Sequence, residues 1–457
     1  MKKVVVVGGG ISGLAAAYQL HIKGFDVTVV EASSSIGGKI SSVKIDGISI
    51  DTGPDAFLVR EPEMKELCSS LGIADELVAP VSRSAKIWVD GRMHALPKSQ
   101  FLGVPLDLDE LSSLGLISPE GIAVAQNDFS AEAEASDDEE TVGSLIRRRL
   151  GDEVMDKLVG PLLGGINAGD PDKISLSSGV PYLASAASLD VSLIRSIQKF
   201  VRMSDRDPKA PVFLTHPEGL GKVVETLEIE LEGKIVVNEF VDSVLAEGEK
   251  WVVVGQKRNY EADSVILTTP SYVSASIVKT TNNTLAELLG SIRYASMAFV
   301  VFAFPSKDIC PFDGSGFLVA KSEGLLMTAC SWSSSKWEHL GNRDLTFVRV
   351  SAGRFDDDRV LDLDDDELIS TLLEELSLTV DVQAMPVESK VIRWPRSFPQ
   401  YELGHSKRVD EIQRLLRDET PGIFVSGAAF NGLGLSACIR DGTASAQRVE
   451  DYLGTAN

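Results

Sequence analysis

The chain has 457 residues, of which 44% are hydrophobic and 24% are charged, and its formal net charge is −23. This composition is typical of a globular protein with two or three domains. The negative charge excludes nucleic-acid binding, because phosphate recognition requires a basic surface. No apolar run reaches the length of about 20 residues that crosses a bilayer, so no transmembrane helix is predicted.

The first forty residues predict a βαβ unit. Residues 4–7 are all valine, which is typical of a strand buried in a parallel sheet. A glycine-rich turn follows, Gly8-Gly9-Gly10-Ile11-Ser12-Gly13, and leads into a helix predicted over 14–21. A second strand, predicted over 27–30, ends at Glu31, which stands 18 residues beyond Gly13.

Each part of this unit suits an adenine dinucleotide. Gly8 permits the tight turn, Gly10 lets the backbone approach a pyrophosphate, and Gly13 permits close packing of helix and strand. The helix N-terminus offers N–H groups to phosphate, and Glu31 can accept hydrogen bonds from a ribose hydroxyl. We therefore predict an adenine-dinucleotide site. The alternative, a cleaved signal peptide, conflicts with the glycines and with the second strand.

Further along the chain, the pattern predicts hairpins, helices and a second sheet. Helices are predicted at 63–71, 141–163, 188–203, 364–376 and 439–453. Hairpins are predicted at 41–50 and 86–96, and strands at 234–237, 240–245, 251–255, 264–269, 294–304, 317–319, 324–329, 345–350 and 423–426. The return of short strands after a helical stretch predicts a discontinuous cofactor domain.

The cysteines and the acidic runs predict no metal site. Cys68, Cys310, Cys330 and Cys438 are widely spaced, which is typical of free thiols in a reducing cytoplasm. The acidic residues at 132–140 are interpreted as a solvated loop or the lead-in to a helix. The aspartates at 356–358 and 364–366 lack the glycine and the spaced ligands of a calcium loop, so we interpret them as solvated acids.

A second glycine-rich turn lies near the other terminus. It runs from Gly427 to Cys438 between a predicted strand and a predicted helix. Two converging helix N-termini would suit a ligand with a pyrophosphate at one end and an electron-accepting ring at the other. A tight strand–helix connection without a ligand is the alternative.

Several motifs, in order along the whole chain, resemble those of the FAD-dependent protoporphyrinogen and coproporphyrinogen III oxidases, within the amine oxidase group. The general motifs are 8–13 with Glu31, Gly37-Gly38-Lys39 and Gly53-Pro54-Asp55. The narrower motifs are 147–154, 161–170, 212–220, Trp394, 399–401 and 404–405. The resemblance is greatest to the soluble type of Gram-positive bacteria, which acts on coproporphyrinogen III. Asn167 departs from it, since the family usually carries an aromatic residue there, and 116–140 matches poorly.

The fold class implied by this resemblance is α/β with α+β character. It combines a Rossmann-like FAD-binding domain of discontinuous segments, a mixed-sheet substrate domain and a helical insertion. The implied FAD-binding segments are 1–60, 215–275 and 391–457. The substrate-domain segments are 61–100, 196–214 and 276–390, and the insertion is 101–195.

The resemblance also implies which residues bind FAD. The first loop and its surroundings would contact the dinucleotide, and the second turn would lie by the isoalloxazine. The implied residues are Gly8, Gly9, Gly10, Ile11, Ser12, Gly13, Glu31, Ala32, Gly38, Lys39, Gly53, Pro54, Asp55, Ala56, Val241, Trp394, Leu433, Gly434 and Leu435. No catalytic side chain is implied.

The implied activity is a six-electron oxidation of coproporphyrinogen III to coproporphyrin III in haem biosynthesis. Hydride would pass repeatedly to the flavin, and O₂ would be reduced to H₂O₂. The implied setting is cytoplasmic, with peripheral membrane contact and a downstream ferrochelatase as candidate partners. Three alternatives remain. A protoporphyrinogen IX oxidase would share every motif, and a flavin amine oxidase or carotenoid desaturase would share the FAD signatures but not the narrower motifs. A non-enzymatic escort protein would share the fold and lack flavin.

Individual side chains carry further hypotheses. Lys39 is interpreted as a cation close to the flavin, while His216 and His405 are expected to pack or to form hydrogen bonds. Cys438 is expected to be a small core residue. A tetracarboxylate substrate needs cations, and Arg60 follows the flavin-side loop. We expect a group of basic residues to contact the substrate propionates or an anionic lipid surface, and a solvated helix face is the alternative. The group consists of Arg195, Lys199, Arg202, Arg206 and Lys209.

Overall fold

The computed structural model describes residues 1–82, 84–132, 139–203, 210–310 and 312–455. The chain forms two compact units. The dinucleotide unit comprises Met1–Ala79, Pro211–Arg293 and Ser406–Asn457, and the mixed-sheet unit comprises Pro80–Ala210 and Tyr294–His405. The two units differ from the predicted domains at four segments. The dinucleotide unit contains 61–79, 211–214 and 276–293, which were predicted for the substrate domain, and the mixed-sheet unit contains 391–405, which was predicted for the FAD-binding domain. The functional domain limits given above stay a prediction.

The described strands are numbered in chain order. They are β1 Lys3–Val7, β2 Asp26–Val30, β3 Ser42–Ile45, β4 Ile48–Asp51, β5 Phe57–Leu58, β6 Ala85–Val89, β7 Arg92–Ala95, β8 Gln100–Phe101, β9 Val104–Pro105, β10 Phe213–Leu214, β11 Ile235–Val236, β12 Val241–Glu247, β13 Lys250–Gly255, β14 Asn259–Ala262, β15 Ser264–Leu267, β16 Tyr294–Pro305, β17 Gly316–Val319, β18 Met327–Ser331, β19 Leu345–Ala352, β20 Glu388–Pro399 and β21 Ile423–Val425.

The described α-helices are numbered in the same way. They are α1 Ile11–Ile22, α2 Glu63–Ser70, α3 Leu108–Ser113, α4 Pro119–Gln126, α5 Val142–Leu150, α6 Asp152–Val154, α7 Gly160–Asn167, α8 Leu176–Gly179, α9 Pro181–Ala187, α10 Leu193–Met203, α11 Gly221–Glu230, α12 Ser271–Val278, α13 Asn283–Gly290, α14 Ser333–Lys336, α15 Arg359–Asp362, α16 Asp365–Val380, α17 His405–Glu419 and α18 Leu435–Thr455.

Five parallel strands form the central sheet of the dinucleotide unit, in the order β11-β2-β1-β15-β21. All four valines of β1 are buried, as expected for a strand covered on both faces. Because the strands run in one direction, their carboxyl ends share one edge. Ligands bind at that edge in open α/β sheets.

Helices α1 and α18 pack against each other in this unit. A Cβ atom on Gly442 would lie 2.2 Å from the main-chain oxygen of Ser12, so only glycine permits this approach. Both helices begin directly after a glycine-rich turn, at Ile11 and at Leu435. The close packing therefore brings the two turns to the same edge of the sheet.

A seven-stranded sheet organises the mixed-sheet unit, in the order β20-β16-β19-β18-β17-β6-β7. Strands β17 and β6 pair in parallel, and the other neighbours are antiparallel. Helix α16 contributes Leu368, Leu372 and Leu376 to the core, at the spacing of four that places them on one face. Helices α3 to α10 surround a second core, to which β6 contributes Ile87 and Val89.

The structure confirms the mixed α/β fold class and corrects several predicted elements. The helix predicted over 141–163 is broken, because Gly151 (φ +89°) ends α5 and a π-helix at Met155–Val159 precedes α7. The sequence reasoning missed β20, which contains Pro395 and Pro399. Among the described strands it pairs only with β16, and an edge strand tolerates proline. The polar α17 was missed as well.

Candidate cofactor site

The first glycine-rich turn folds as its residues require. The Gly8 amide donates to the Val30 oxygen at 2.8 Å, which joins the ends of β1 and β2. Gly8 has a φ of +108°, a conformation that L side chains rarely adopt. A Cβ on Gly13 would lie 2.1 Å from the Gly8 oxygen. Glycine at 8 and 13 is therefore demanded by the protein's own backbone.

Gly10 differs, because a Cβ there would meet no described heavy atom within 4 Å. It precedes α1, whose N-terminus has no side-chain cap among the described residues and no acid in its first turn. The first amides of a helix are unsatisfied donors at the positive end of its dipole. The turn thus combines open space with N–H groups, which is what a pyrophosphate needs.

Glu31 follows β2 and faces the same turn. Its Oε2 accepts from the Gly9 amide at 2.7 Å, and its Oε1 accepts from the Ser33 amide at 2.8 Å. These two bonds hold the carboxylate in place and leave lone pairs for hydroxyl donors such as those of a ribose. The main-chain oxygen of Glu31 accepts from the Glu239 amide at 2.9 Å. Val241, two residues further on, is the first residue of β12. Ala32 is exposed between these contacts.

The segments around Lys39 also lie beside the first turn. A Cβ on Gly38 would lie 3.2 Å from the Gly10 Cα, and one on Gly53 would lie 1.9 Å from the Lys39 oxygen. The loop of Gly53, Pro54, Asp55 and Ala56 therefore runs directly against Lys39. Its last three residues are half-buried.

Lys39 is the cation of this site. Its ammonium makes no hydrogen bond or ion pair with any residue that the structure describes, and burial lowers its pKa. Its charge acts on Cys438, in the first turns of α18. Burial nevertheless raises the pKa of the Cys438 thiol to about 11, so the thiol stays neutral and Cys438 is a core residue, as predicted. A cation without an anionic partner fits a site for an electron-rich ligand.

The second turn is held by a residue from its own helix. Asp441 accepts from the Gly427 amide at 2.8 Å and from the Asn431 Nδ2 at 2.8 Å. A Cβ on Gly427 would lie 3.7 Å from the Ser12 Oγ, so the two turns meet. A Cβ on Gly434 would meet no described atom within 4 Å. This open position, between Leu433 and Leu435, repeats the arrangement at Gly10.

Sequence reasoning missed two residues that shape the site. Thr268 Oγ1 donates towards the Val7 and Gly8 oxygens, at 3.0 and 2.9 Å, and so joins β15 to the first turn. The feature of the sequence that could have identified Thr268 is its position near the end of the strand predicted over 264–269. Asp441 had no comparable signal, because it lies 14 residues from the amide that it binds.

These observations show that the residues fit a flavin dinucleotide. Two uncrowded glycines, an oriented carboxylate and an unpaired ammonium converge at one sheet edge. The Ser426 Oγ there is also buried without a hydrogen-bond partner in the described chain. Of the predicted cofactor residues, Trp394 alone belongs to the mixed-sheet unit, where it pairs with Met297 across β16 and β20.

Both histidines that were considered as bases are engaged elsewhere. His216 shares its Nε2 with the Glu76 carboxylate at 3.0 Å, and its Nδ1 accepts from the Glu218 amide at 3.1 Å. The ring therefore carries its proton on Nε2. A metal bound at Nε2, between Glu76 and Glu218, would force a proton onto Nδ1, against that amide. His405 is buried and stacks on Tyr401, with ring centroids 4.0 Å apart.

Helix α10 presents the predicted basic face. Arg195, Lys199 and Arg202 are exposed, whereas Leu193, Ile194 and Ile197 are buried. Lys199 pairs with Asp190, and Arg195 lies over the Phe129 ring at 5.3 Å. Arg206 and Lys209 lie outside the described residues. No described helix is long and apolar enough to cross a bilayer.

Comparison with known proteins decides the family. The model of the flavin-containing amine oxidoreductases matches residues 11–450. The chain is 34% identical to the coproporphyrinogen III oxidase of Bacillus subtilis (strain 168), covering 99% of this chain and 98% of the relative. The chain belongs to the porphyrinogen oxidase branch of the flavin-containing amine oxidoreductases.

Further relatives agree with this membership. The coproporphyrinogen III oxidase of Staphylococcus aureus (strain NCTC 8325 / PS 47) is 32% identical, with 98% of this chain and 99% of that protein covered. A crystal structure from Exiguobacterium sp. 255-15, provisionally described as a protoporphyrinogen oxidase, matches with a TM-score of 0.89, 27% identity and 99% coverage of both chains. The protein is therefore an FAD-dependent oxidoreductase, and the predicted family and cofactor are confirmed.

Proposed function

We propose that this protein oxidises coproporphyrinogen III to coproporphyrin III, with O₂ as the electron acceptor. The observation that carries the proposal is the full-length similarity, at 34% and 32% identity, to two proteins named coproporphyrinogen III oxidase. Protoporphyrinogen IX is the second candidate substrate, because the Exiguobacterium structure is provisionally described as a protoporphyrinogen oxidase.

We propose that the predicted residues at the carboxyl edge of the sheet hold FAD. The uncapped N-terminus of α1 suits the pyrophosphate, and Glu31 suits the ribose hydroxyls. The second turn, around Gly434, leaves space beside the start of α18. FAD, when bound, supplies the electron-accepting chemistry of each oxidation round.

The side chains of this protein would then bind and orient, and they would stabilise charge. Lys39 brings an unpaired positive charge to a site that receives electrons. Both nitrogens of His216 are already hydrogen-bonded, which makes it a poor general base. The pyrrole protons released during oxidation would therefore pass to solvent, which needs no dedicated protein base.

The basic face of α10 is the proposed contact for the substrate propionates. Arg195 and Lys199 lie four residues apart and Lys199 and Arg202 three apart, so all three share one helix face. Such cations would favour a substrate with four carboxylates over one with two. The same face could meet anionic lipid at a membrane surface. We propose a cytoplasmic enzyme that hands its product to a ferrochelatase, consistent with its free cysteines.

The decisive experiment compares coproporphyrinogen III and protoporphyrinogen IX under air. Porphyrin fluorescence reports the product, and a parallel reaction without enzyme corrects for autoxidation. A clear preference for coproporphyrinogen III supports the proposal. A preference for protoporphyrinogen IX overturns the substrate, and activity on neither compound by a flavin-loaded protein overturns the porphyrinogen assignment.

A further inference from the structure

Asp441, in the second turn of α18, is a buried carboxylate that binds the turn in front of its own helix. It is 5% exposed, and it accepts from the Gly427 amide and from the Asn431 Nδ2, both at 2.8 Å. One carboxylate oxygen serves each donor, an arrangement that suits the ionised form. Asp441 forms no ion pair with any residue that the structure describes, so these two hydrogen bonds stabilise the buried charge.

The turn that Asp441 binds has a glycine at each end. Gly427 and Gly432 have φ values of +126° and +127°, a region that residues other than glycine rarely adopt. Because glycine permits many backbone conformations, the turn needs contacts that fix its shape. Within the turn, the Phe430 amide donates to the Gly427 oxygen at 3.2 Å. Asp441 adds two contacts from outside, which tie Gly427, near the end of β21, and Asn431 to one side chain of α18.

The start of α18 offers unsatisfied donors directly after this turn. The amides of Leu435, Ser436 and Ala437 donate to no described residue, and the first bond of the helix runs from the Cys438 amide to the Gly434 oxygen at 2.9 Å. The first turn of α18 also contains no acid. Unsatisfied amides at the positive end of a helix dipole favour a ligand that gains negative charge. The position of these amides depends on the preceding turn, and therefore on Asp441.

We propose that Asp441 is a positioning residue for the flavin: through its bonds to Gly427 and Asn431 it fixes where the first amides of α18 meet the bound ring. This inference rests on the proposed placement of FAD at the carboxyl edge of the sheet. Amides held against the ring stabilise its reduced, electron-rich form, so their position contributes to the reduction potential of the bound flavin. Asp441 acts through the backbone of the turn.

The alternative is that Asp441 acts through its charge. Burial lowers the pKa of Arg448, later in α18, and the charge of Asp441 acts in the opposite direction. A negative charge near the ring would disfavour the reduced form, so its removal would raise the potential. Loss of positioning would lower the potential instead, because the amides would no longer be held against the ring. The sign of the shift therefore distinguishes the two roles.

A swap of the two bonded side chains provides the test. Asp441→Asn keeps the volume but leaves one acceptor oxygen, so one of the two donors faces an N–H₂ group. Asp441→Asn combined with Asn431→Asp restores both bonds, because the new side chain at 441 accepts from the Gly427 amide and donates to the new carboxylate at 431. The swap also moves the charge from a buried to an exposed residue. It therefore restores the positioning without restoring the buried charge.

Two further variants complete the comparison. Asn431→Ala, at an exposed residue, removes one bond and leaves the charge of Asp441, so it tests the turn even where Asp441→Asn does not fold. Asp410→Asn, at an exposed aspartate of α17 in the same unit, is the matched control. The measurements on flavin-loaded protein are the Kd for FAD, the flavin absorbance spectrum, the two-electron reduction potential and the kcat for both porphyrinogens.

Asp441→Asn is expected to raise the Kd for FAD about tenfold, to alter the flavin spectrum, and to lower the potential by about 30 mV, which is a tenfold change in a two-electron equilibrium. Asn431→Ala should act in the same direction by less, and the swap should restore wild-type values. A higher potential in Asp441→Asn, a swap that does not restore the potential, or a loss of stability alone would overturn the inference. Wild-type protein that oxidises neither porphyrinogen would overturn the proposed function, whereas a potential that falls in Asp441→Asn and recovers in the swap would still support this role.

Discussion

The glycine-rich edge of the dinucleotide unit and the α7–β20 region of the mixed-sheet unit are held together by different contacts. At the glycine-rich edge the backbone packs against itself, so glycine is required wherever another atom comes close. In the α7–β20 region a side chain makes the link, because the Gln400 Nε2 donates to the Asn167 and Phe398 main-chain oxygens. Backbone contacts leave a spacing pattern in the sequence, whereas side-chain contacts leave single residues whose meaning depends on their neighbours.

One comparison separates two glycines of the same turn. Gly13→Ala places its Cβ 2.1 Å from the Gly8 oxygen, so the backbone must shift. We expect a loss of about 1–3 kcal/mol in the free energy of unfolding, together with loss of bound flavin. Gly10→Ala, whose Cβ meets no described atom, should keep the stability of the apoprotein and lower FAD affinity about ten- to a hundredfold.

Denaturant unfolding of the apoproteins and FAD titration by fluorescence quenching measure these two effects. Equal stability losses in both variants would contradict the distinction between a glycine that the protein requires and a glycine that the ligand requires.

A buried carboxylate provides the matching test in the mixed-sheet unit. Asp128 accepts from the Ser192 Oγ at 2.6 Å and from the Leu193 and Ile194 amides at 2.9 Å, and it pairs with Arg149 at 3.4 Å. Asp128→Ala should lower the free energy of unfolding by about 3–5 kcal/mol, because it leaves a buried charge and buried donors unpaired. The exposed Asp362→Ala is the control. A small loss at Asp128 would show that α10 is held in place by its apolar face alone.

A substitution of Lys39 tests whether FAD binding at the glycine-rich edge also depends on charge. Lys39→Met should weaken FAD binding about tenfold, since it removes a charge-assisted contact. Burial lowers the pKa of Lys39, so the unfolded chain binds more protons and the apoprotein gains stability as the pH rises between the two pKa values. The methionine variant should lose this dependence and be more stable at neutral pH.

Unfolding of the apoprotein across alkaline pH, beside FAD titration, measures both effects, with the exposed Lys44→Met as control. An unchanged FAD affinity in Lys39→Met would show that Lys39 does not contribute to FAD binding.

The smallest expected effect concerns the cations of α10. Arg195→Glu with Lys199→Glu should raise the KM for coproporphyrinogen III about two- to fivefold more than that for protoporphyrinogen IX, because exposed charges contribute little each. The effect should shrink at high salt. A KM ratio that does not change would assign this face to lipid or to solvent.

The sequence alone predicted the βαβ unit, the adenine-dinucleotide site and the convergence of two turns, since each rests on local spacing. Gly8, Gly13 and Glu31 are close in the chain, and their roles follow from strand and helix geometry. The family resemblance added the flavin and the substrate class.

Tertiary structure decided what local spacing does not carry. Thr268 and Asp441 shape the two turns through contacts across strands or along a helix, and β20 exists because β16 offers it an edge. Hydrogen bonds between residues far apart in the chain are a property of the packed chain, so only the fold shows that Thr268 and Asp441 hold the two turns.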